Sequence, residues 1–136
     1  MPGAVEEFVV ELAGGVDAAA AARRAVADRG PDFAEPLRGD VLLLVTELVT
    51  NAVLHGRVGP DQSVRLECRS EGERVRFLVT DAGTRLLGNG GVPARDRRGT
   101  NGDVSGWGLV LVEEISEEWG VLAAPPGTCV WFDVAA

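Results

Sequence analysis

Between Asp40 and His55 almost every position is aliphatic: Val41 to Val45, Leu48, Val49, and Ala52 to Leu54. That density is too great for a surface helix, so the segment is expected to be largely buried, and the rest of the chain has to supply its cover. Among the polar residues that interrupt it are Glu47, Thr50, Asn51 and His55, the last being the only histidine. At about 100° per residue they share a sector of roughly 140°. An unsatisfied buried polar group costs about 1–3 kcal/mol, so such a stripe faces either partner groups or a wet ligand cleft. Both readings stand on this segment alone. In one, Glu47 and Asn51 bond each other and His55 is a satisfied neighbour; in the other, all of them line a cleft.

The remaining sequence alternates short strands and helices, with no repeat and no linker. Val5 to Leu12 has the β-branched and aromatic content of a strand, stopped by Gly14-Gly15. Asp17 is placed to cap an alanine-rich helix that runs to about Arg29 and closes at Gly30-Pro31. The aliphatic helix starts near Pro36, with Gly39-Asp40 either an irregularity or its true beginning, and ends at Gly56. Ser63 to Arg69 and Arg74 to Thr80 read as strands joined through Glu71-Gly72-Glu73 in an antiparallel hairpin. From Asp81 to Gly106 the chain is glycine-rich with almost no apolar content, the pattern of a mobile lid or loop, and loops that long in compact domains are usually functional or disordered. Gly108 to Glu118 predicts a helix with Leu109, Val110, Val112 and Ile115 turned inward. Trp119 to Ala123 and Thr128 to Val134 make a second hairpin around Pro125-Pro126-Gly127. Five strands arriving in hairpins, with three helices, predict an α/β two-layer sandwich: a mixed, mainly antiparallel five-stranded sheet covered on one face by helices.

At 136 residues the chain is expected to be one domain. With 46% hydrophobic and 25% charged residues it is ordinary globular material. No apolar run approaches the roughly 18 residues of a membrane span. The acidic start MPGAVEEF has no basic region followed by an apolar core, which makes the cytosol the default compartment. Cys68 and Cys129 fit reduced core or strand residues, and their separation suits no metal motif. A net charge of −8, with no broad basic face, argues against nucleic acid as a direct partner. Arg95, Arg97 and Arg98 are either solvated loop residues or, beside a phosphate site, contacts for a triphosphate.

Three further segments align with the polar stripe. Asp81 ends a strand and is followed by Gly83; a carboxylate accepts from an exocyclic amine of a base such as adenine, and a glycine lets backbone approach the flat ring. Gly106 and Gly108 open an apolar helix, whose free amides attract phosphate. Thr128 begins a strand, where its hydroxyl can share a water or the base with Asp81.

In this order and spacing the four segments resemble the GHKL, or Bergerat-fold, ATPase superfamily. Within it the chain is most similar to the small anti-sigma-factor serine/threonine kinases, with Glu47-Leu48-Val49-Thr50-Asn51-Ala52-Val53-Leu54-His55-Gly56 looking like the family's N-box. The resemblance implies ATP and Mg²⁺ as cofactors, with Asn51 the metal ligand and Glu47 the general base for the attacking hydroxyl. It further implies that Asp81 reads adenine, Gly83 makes room for it, Gly106, Gly108 and the following Leu109 hold the phosphates beneath the lid, and Thr128 supports the base. His55 stands where this branch often has a histidine; a structural hydrogen bond at the helix end is its other reading. Arg85 departs from the second glycine that many members carry after Asp81, and Leu54 from the basic residue of sensor kinases. Two classes of function follow. One is a kinase that phosphorylates a serine or threonine of an anti-sigma-antagonist partner and sequesters a sigma factor, with a homodimer also implied; the other is a non-catalytic module that sequesters or scaffolds a regulator.

Overall fold

The computed structural model describes residues 5–55, 61–81, 106–124 and 127–135. The elements run β1 (Val5–Ala13), α1 (Ala18–Arg29), α2 (Leu37–His55), β2 (Ser63–Glu71), β3 (Arg74–Thr80), α3 (Gly106–Ile115), β4 (Glu118–Ala124) and β5 (Gly127–Ala135). The strands form one sheet in the order β1-β2-β3-β5-β4, and every neighbouring pair is antiparallel. The expected two-layer architecture is therefore present. The sheet is wholly antiparallel rather than mixed, because each sheet neighbour is either the next strand along the chain or, for β3 and β5, one reached by the excursion through α3 and β4 that returns antiparallel.

Side-chain alternation divides the sheet cleanly. Val75, Phe77 and Val79 of β3 are buried, and their register partners on β5 are Val134, Phe132 and Val130. Phe77 and Phe132 stack with ring centroids 5.2 Å apart, a contact that adds about 0.5–1.5 kcal/mol beyond the area it buries. On the other side of Phe77, Phe33 tilts against it at 6.3 Å. Val64, Leu66 and Cys68 of β2 continue this inner face. β1 reaches it only through a bulge at Glu7: Glu6 pairs with outward-facing Arg69, but Phe8 pairs with inward-facing Cys68. The extra residue restores the alternation that puts Phe8 and Leu12 in the core.

Helix α2 lies centrally, packed on β2 and β3 and flanked by α1 and α3. Val41, Leu44, Val45, Leu48 and Val49 are buried against the core. The expectation of a largely buried helix is corrected in one respect: Leu43 is 42% and Leu54 65% exposed. Both fall in the same outward sector as Glu47 and Thr50, the side that neither the sheet nor a neighbouring helix reaches. The helix begins at Leu37, so Gly39 and Asp40 lie inside its first turn; the Glu35 carboxylate accepts from the Gly39 amide at 3.2 Å, and the Asp40 N–H donates to the Pro36 C=O at 3.1 Å. On the α1 side, Thr46, a further polar residue of the helix, accepts from Arg23 Nη1 at 3.1 Å, and its hydroxyl donates to Leu42 C=O at 2.7 Å.

Asp17 occupies the N-cap of α1 but its side chain makes no cap bond, because its backbone is already helical at φ −92°, ψ −1°. Gly30 closes α1, and a Cβ there would lie 2.9 Å from the Val26 carbonyl oxygen. Gly72, at φ +62°, makes the two-residue turn between β2 and β3, a backbone state that favours glycine.

The outer face of the sheet carries an ion-pair network of four arginines and four carboxylates. Asp133, 2% exposed, accepts from Arg76 Nε at 2.7 Å, Arg76 Nη2 at 3.0 Å and Arg74 Nη1 at 3.0 Å. Glu67 pairs with Arg69 and Arg65, and the network extends to Glu11 and Glu118. The Arg76 guanidinium also lies 4.0 Å from the centroid of the Trp131 ring. Hydrogen bonding to Asp133 raises the Arg76 pKa further above its already high value.

Both cysteines are free and buried. Burial, reinforced by Glu7, pushes the Cys68 thiol up to about 12. Burial also raises Cys129, against the opposing hydrogen bond from Thr80. Among the described residues no helix is long and apolar enough to cross a membrane.

Candidate functional site

The polar stripe of α2 splits once the helix is docked. Leu44 and Leu48, on the Asn51 side, are buried, whereas Thr46 on the opposite flank meets α1. Glu47 lies between, half-buried, one turn before Asn51 and in the sector bounded by exposed Leu43 and Leu54. The Asn51 amide nitrogen is buried with no hydrogen-bond partner. A donor in that condition costs about 1–3 kcal/mol, and no bond between Glu47 and Asn51 relieves it. The Asn51 nitrogen therefore lacks the internal bond to Glu47 that one reading of the stripe requires. The side chain of His55, which closes α2, lies outside the described residues.

A second part of the site forms where β3 and β5 end. Beyond the last ladder pair, Thr80 with Cys129, the two strands hold together for one more step. Asp81 N–H donates to Thr128 C=O at 3.0 Å, and Thr128 N–H donates to the Asp81 carboxylate at 3.2 Å. The sequence reading has the Thr128 hydroxyl share a water or the base with Asp81; the direct contacts between the two run through the Thr128 backbone. The bond ties the Asp81 carboxylate to the start of β5.

Gly106 and Gly108 lie in the first turn of α3, which begins two residues earlier than the spacing suggested and ends at Ile115 rather than Glu118. It ends there because the Glu117 amide donates to Asp133 C=O at 2.8 Å, drawing the chain into β4. Val112 is fully buried and Leu111 and Ile115 pack partly against the core, and Trp119 Nε1 donates to Glu113 at 2.6 Å, tying α3 to β4. The side chains of Leu109 and Val110 lie outside the described residues, as do Gly83, Arg85, the glycine-rich lid, Arg95, Arg97, Arg98, Pro125 and Pro126.

The donor set suits a nucleotide carrying a hard cation. Asn51 offers an oxygen that ligates and an N–H₂ that donates, and its nitrogen is the orphaned atom. Among the described residues no group of three or more His, Cys, Asp or Glu side chains is arranged to hold a metal. Mg²⁺ ordinarily takes one or two protein oxygens and completes its shell with phosphates and waters, and the Asn51 side-chain oxygen is a ligand of that hard kind. Sequence reasoning did not find the Asp133–Arg74–Arg76 cluster; its only trace was the Arg-x-Arg alternation of β3.

The model of the histidine kinase-like ATPase domain family matches residues 9–134, and the chain belongs to that family. Membership makes it a domain of the ATP-binding class. Seven chains of solved structures match; one is described as the crystal structure of the RsbU and RsbW domains of Rv1364c from Mycobacterium tuberculosis. It superposes with a TM-score of 0.63 at 21% identity over 94% of this chain, which establishes a shared fold. This chain spans about a third of that one, 31% of its length. No curated protein matches.

Proposed function

We propose that the protein is a regulatory serine/threonine kinase of the anti-sigma-factor type, which binds Mg²⁺-ATP, phosphorylates an anti-sigma-antagonist partner and sequesters a sigma factor. The single observation that carries the reading is the buried, unpartnered amide of Asn51 one turn from Glu47 on a helix whose other buried positions are aliphatic. The N-box resemblance, the family and the fold shared with a structure containing an RsbW domain support it.

In this reading Asp81, held by Thr128, accepts a hydrogen bond from the adenine amine, and Gly83 leaves room for the ring. The start of α3, with Gly106, Gly108 and Leu109, donates backbone N–H groups to phosphate oxygens. Asn51 holds Mg²⁺, which when bound neutralises charge on the phosphates. Glu47 accepts the proton of the partner's hydroxyl as that oxygen bonds to the γ-phosphorus and the bridge to ADP breaks. The outward position of Glu47 serves this role, since a protein substrate approaches from solvent.

The test is transfer of γ-labelled phosphate to candidate antagonist domains in the presence of Mg²⁺. Asn51→Ala loses nucleotide binding, whereas Glu47→Ala retains binding but loses transfer. Undiminished transfer by Glu47→Ala refutes the assigned base. Absence of any heat or thermal shift with ATP in the unaltered protein favours the non-catalytic sequestering module, toward which Arg85, in place of a second glycine, already leans.

A further inference from the structure

The open sheet has two edges, and they are built differently. β1, the edge beside β2, carries exposed Glu6, Glu7 and Glu11 and is interrupted by the bulge at Glu7, devices that keep another chain from pairing there. β4, the opposite edge, has neither. After Glu118 it reads Trp119-Gly120-Val121-Leu122-Ala123-Ala124, without charge or proline, and its ladder to β5 is unbroken from Glu118 with Asp133 to Ala124 with Gly127. Every second residue of such a strand points its N–H and C=O away from its neighbour, and among the described residues nothing pairs with that side of β4. Gly120 sits mid-strand with no bulge to account for it, a placement that suits close approach of another backbone.

We infer that β4 takes up an extended segment of a partner protein as a sixth strand, apolar along most of its length and basic at the end that passes Glu118. Main-chain bonds along the edge hold such a segment, and side chains select it. Register places Trp119, Val121 and Ala123 on the helix-covered face and Gly120 and Leu122 on the other. Leu122 is 42% exposed and Ala123 is exposed, so the edge offers apolar contact on both faces to the valine-like side chains of an added strand. Charge sets the basic end. Glu113, Glu114, Glu117 and Glu118, all exposed, gather where α3 gives way to β4. Arg74 is the one arginine paired with them among the described residues, 3.4 Å from Glu118, and it is shared with Asp133. Glu113 takes the Trp119 Nε1 bond, while Glu114 and Glu117 have no ion pair among the described residues. A lysine or arginine arriving there is attracted, and an acidic segment is repelled. In antiparallel addition, the pattern of every other pair in the sheet, the basic residues follow the apolar ones. The inference rests on the sheet edge and is independent of the nucleotide reading.

Titration of the full chain with the peptide Val-Thr-Val-Thr-Val-Lys-Lys, followed by ¹H–¹⁵N spectra and amide hydrogen exchange, tests it. Saturable binding below about 1 mM is expected, with alternate amides from Trp119 to Ala124 becoming slow to exchange and those of β1 unaltered. Joint Glu114→Gln and Glu117→Gln substitution, at two exposed positions, is expected to weaken binding about 5-fold. The peptide Val-Pro-Val-Pro-Val-Lys-Lys keeps the charge but lacks two backbone donors, and is expected not to bind. No saturable binding of the first peptide, equal binding of the proline peptide, indifference to the two glutamines, or protection at β1 instead of β4 overturns the inference. So does slow exchange of every β4 amide in the peptide-free protein, because the edge then already has another occupant, whether a second copy or a different part of this chain.

Discussion

The carboxylate of Asp133 on β5 and the amide nitrogen of Asn51 on α2 are both shielded from water, and their treatment is opposite. Asp133 receives three hydrogen bonds from two arginines; Asn51 has an amide nitrogen with none. A buried polar group that the fold satisfies belongs to the stability of the fold. One that the fold leaves open is a cost tolerated for what enters later, and such costs gather at functional sites. The contrast separates the outer sheet face, which is electrostatically complete, from the rim of α2, which is not.

The largest test of the contrast is Asp133→Ala. It strands two arginines and removes the carboxylate joining β3 to β5, so unfolding by urea should show a loss of about 2–4 kcal/mol, while ATP affinity measured on the folded fraction stays within error. A large loss of affinity with little loss of stability breaks the comparison. Second in size is alkaline stability. Unfolded, Cys68 titrates near 9.0, but folded near about 12; the native state therefore keeps its proton where the unfolded state loses it. That contribution is intact below pH 9 and is lost as pH rises from about 9 to 12. Cys68→Val should flatten the fall of melting temperature over that range, and an unchanged slope would place the cause elsewhere. Third, Asn51→Leu should raise the stability of the nucleotide-free protein by about 1 kcal/mol, since it removes an unpaired donor, and abolish Mg²⁺-ATP binding at the same time. Destabilisation by that variant would mean the amide is satisfied in solution. The smallest effect is at Arg23→Ala, where an exposed bond to Thr46 is lost and about 0.5 kcal/mol or less is expected.

Much of the fold was legible because its signals are local. The turn chemistry of Gly72 and the period-two pattern of β3 place the first hairpin within two residues, and the aliphatic density of α2 identifies the central helix. What escaped depends on pieces distant in sequence. Helix α3 stops at Ile115 because the Glu117 amide is taken by Asp133, and nothing within the helix itself announces that. The Arg74–Asp133–Arg76 cluster needs the β3–β5 register, set only when the whole sheet assembles. Asp17 looked like a cap by residue type, yet its helical backbone prevents the bond. Of the candidate site, the spacing places Glu47 and Asn51 one turn apart on α2, whereas the backbone bonds between Asp81 and Thr128 depend on the β3–β5 register and were not legible. The exposure of Leu43 and Leu54 was missed because density of aliphatic residues does not reveal which side of a helix lacks a neighbour.

The central claim is that the unsatisfied Asn51 amide is the protein's half of a nucleotide site. The direct measurement is the side-chain amide resonance of Asn51 in a ¹H–¹⁵N spectrum, assigned by its disappearance in Asn51→Leu, as Mg²⁺-ATP is titrated. A saturable shift of that resonance, with Asp81 and Thr128 backbone amides moving on the same binding curve, is the predicted result. A resonance that stays in place while nucleotide is present in excess contradicts it.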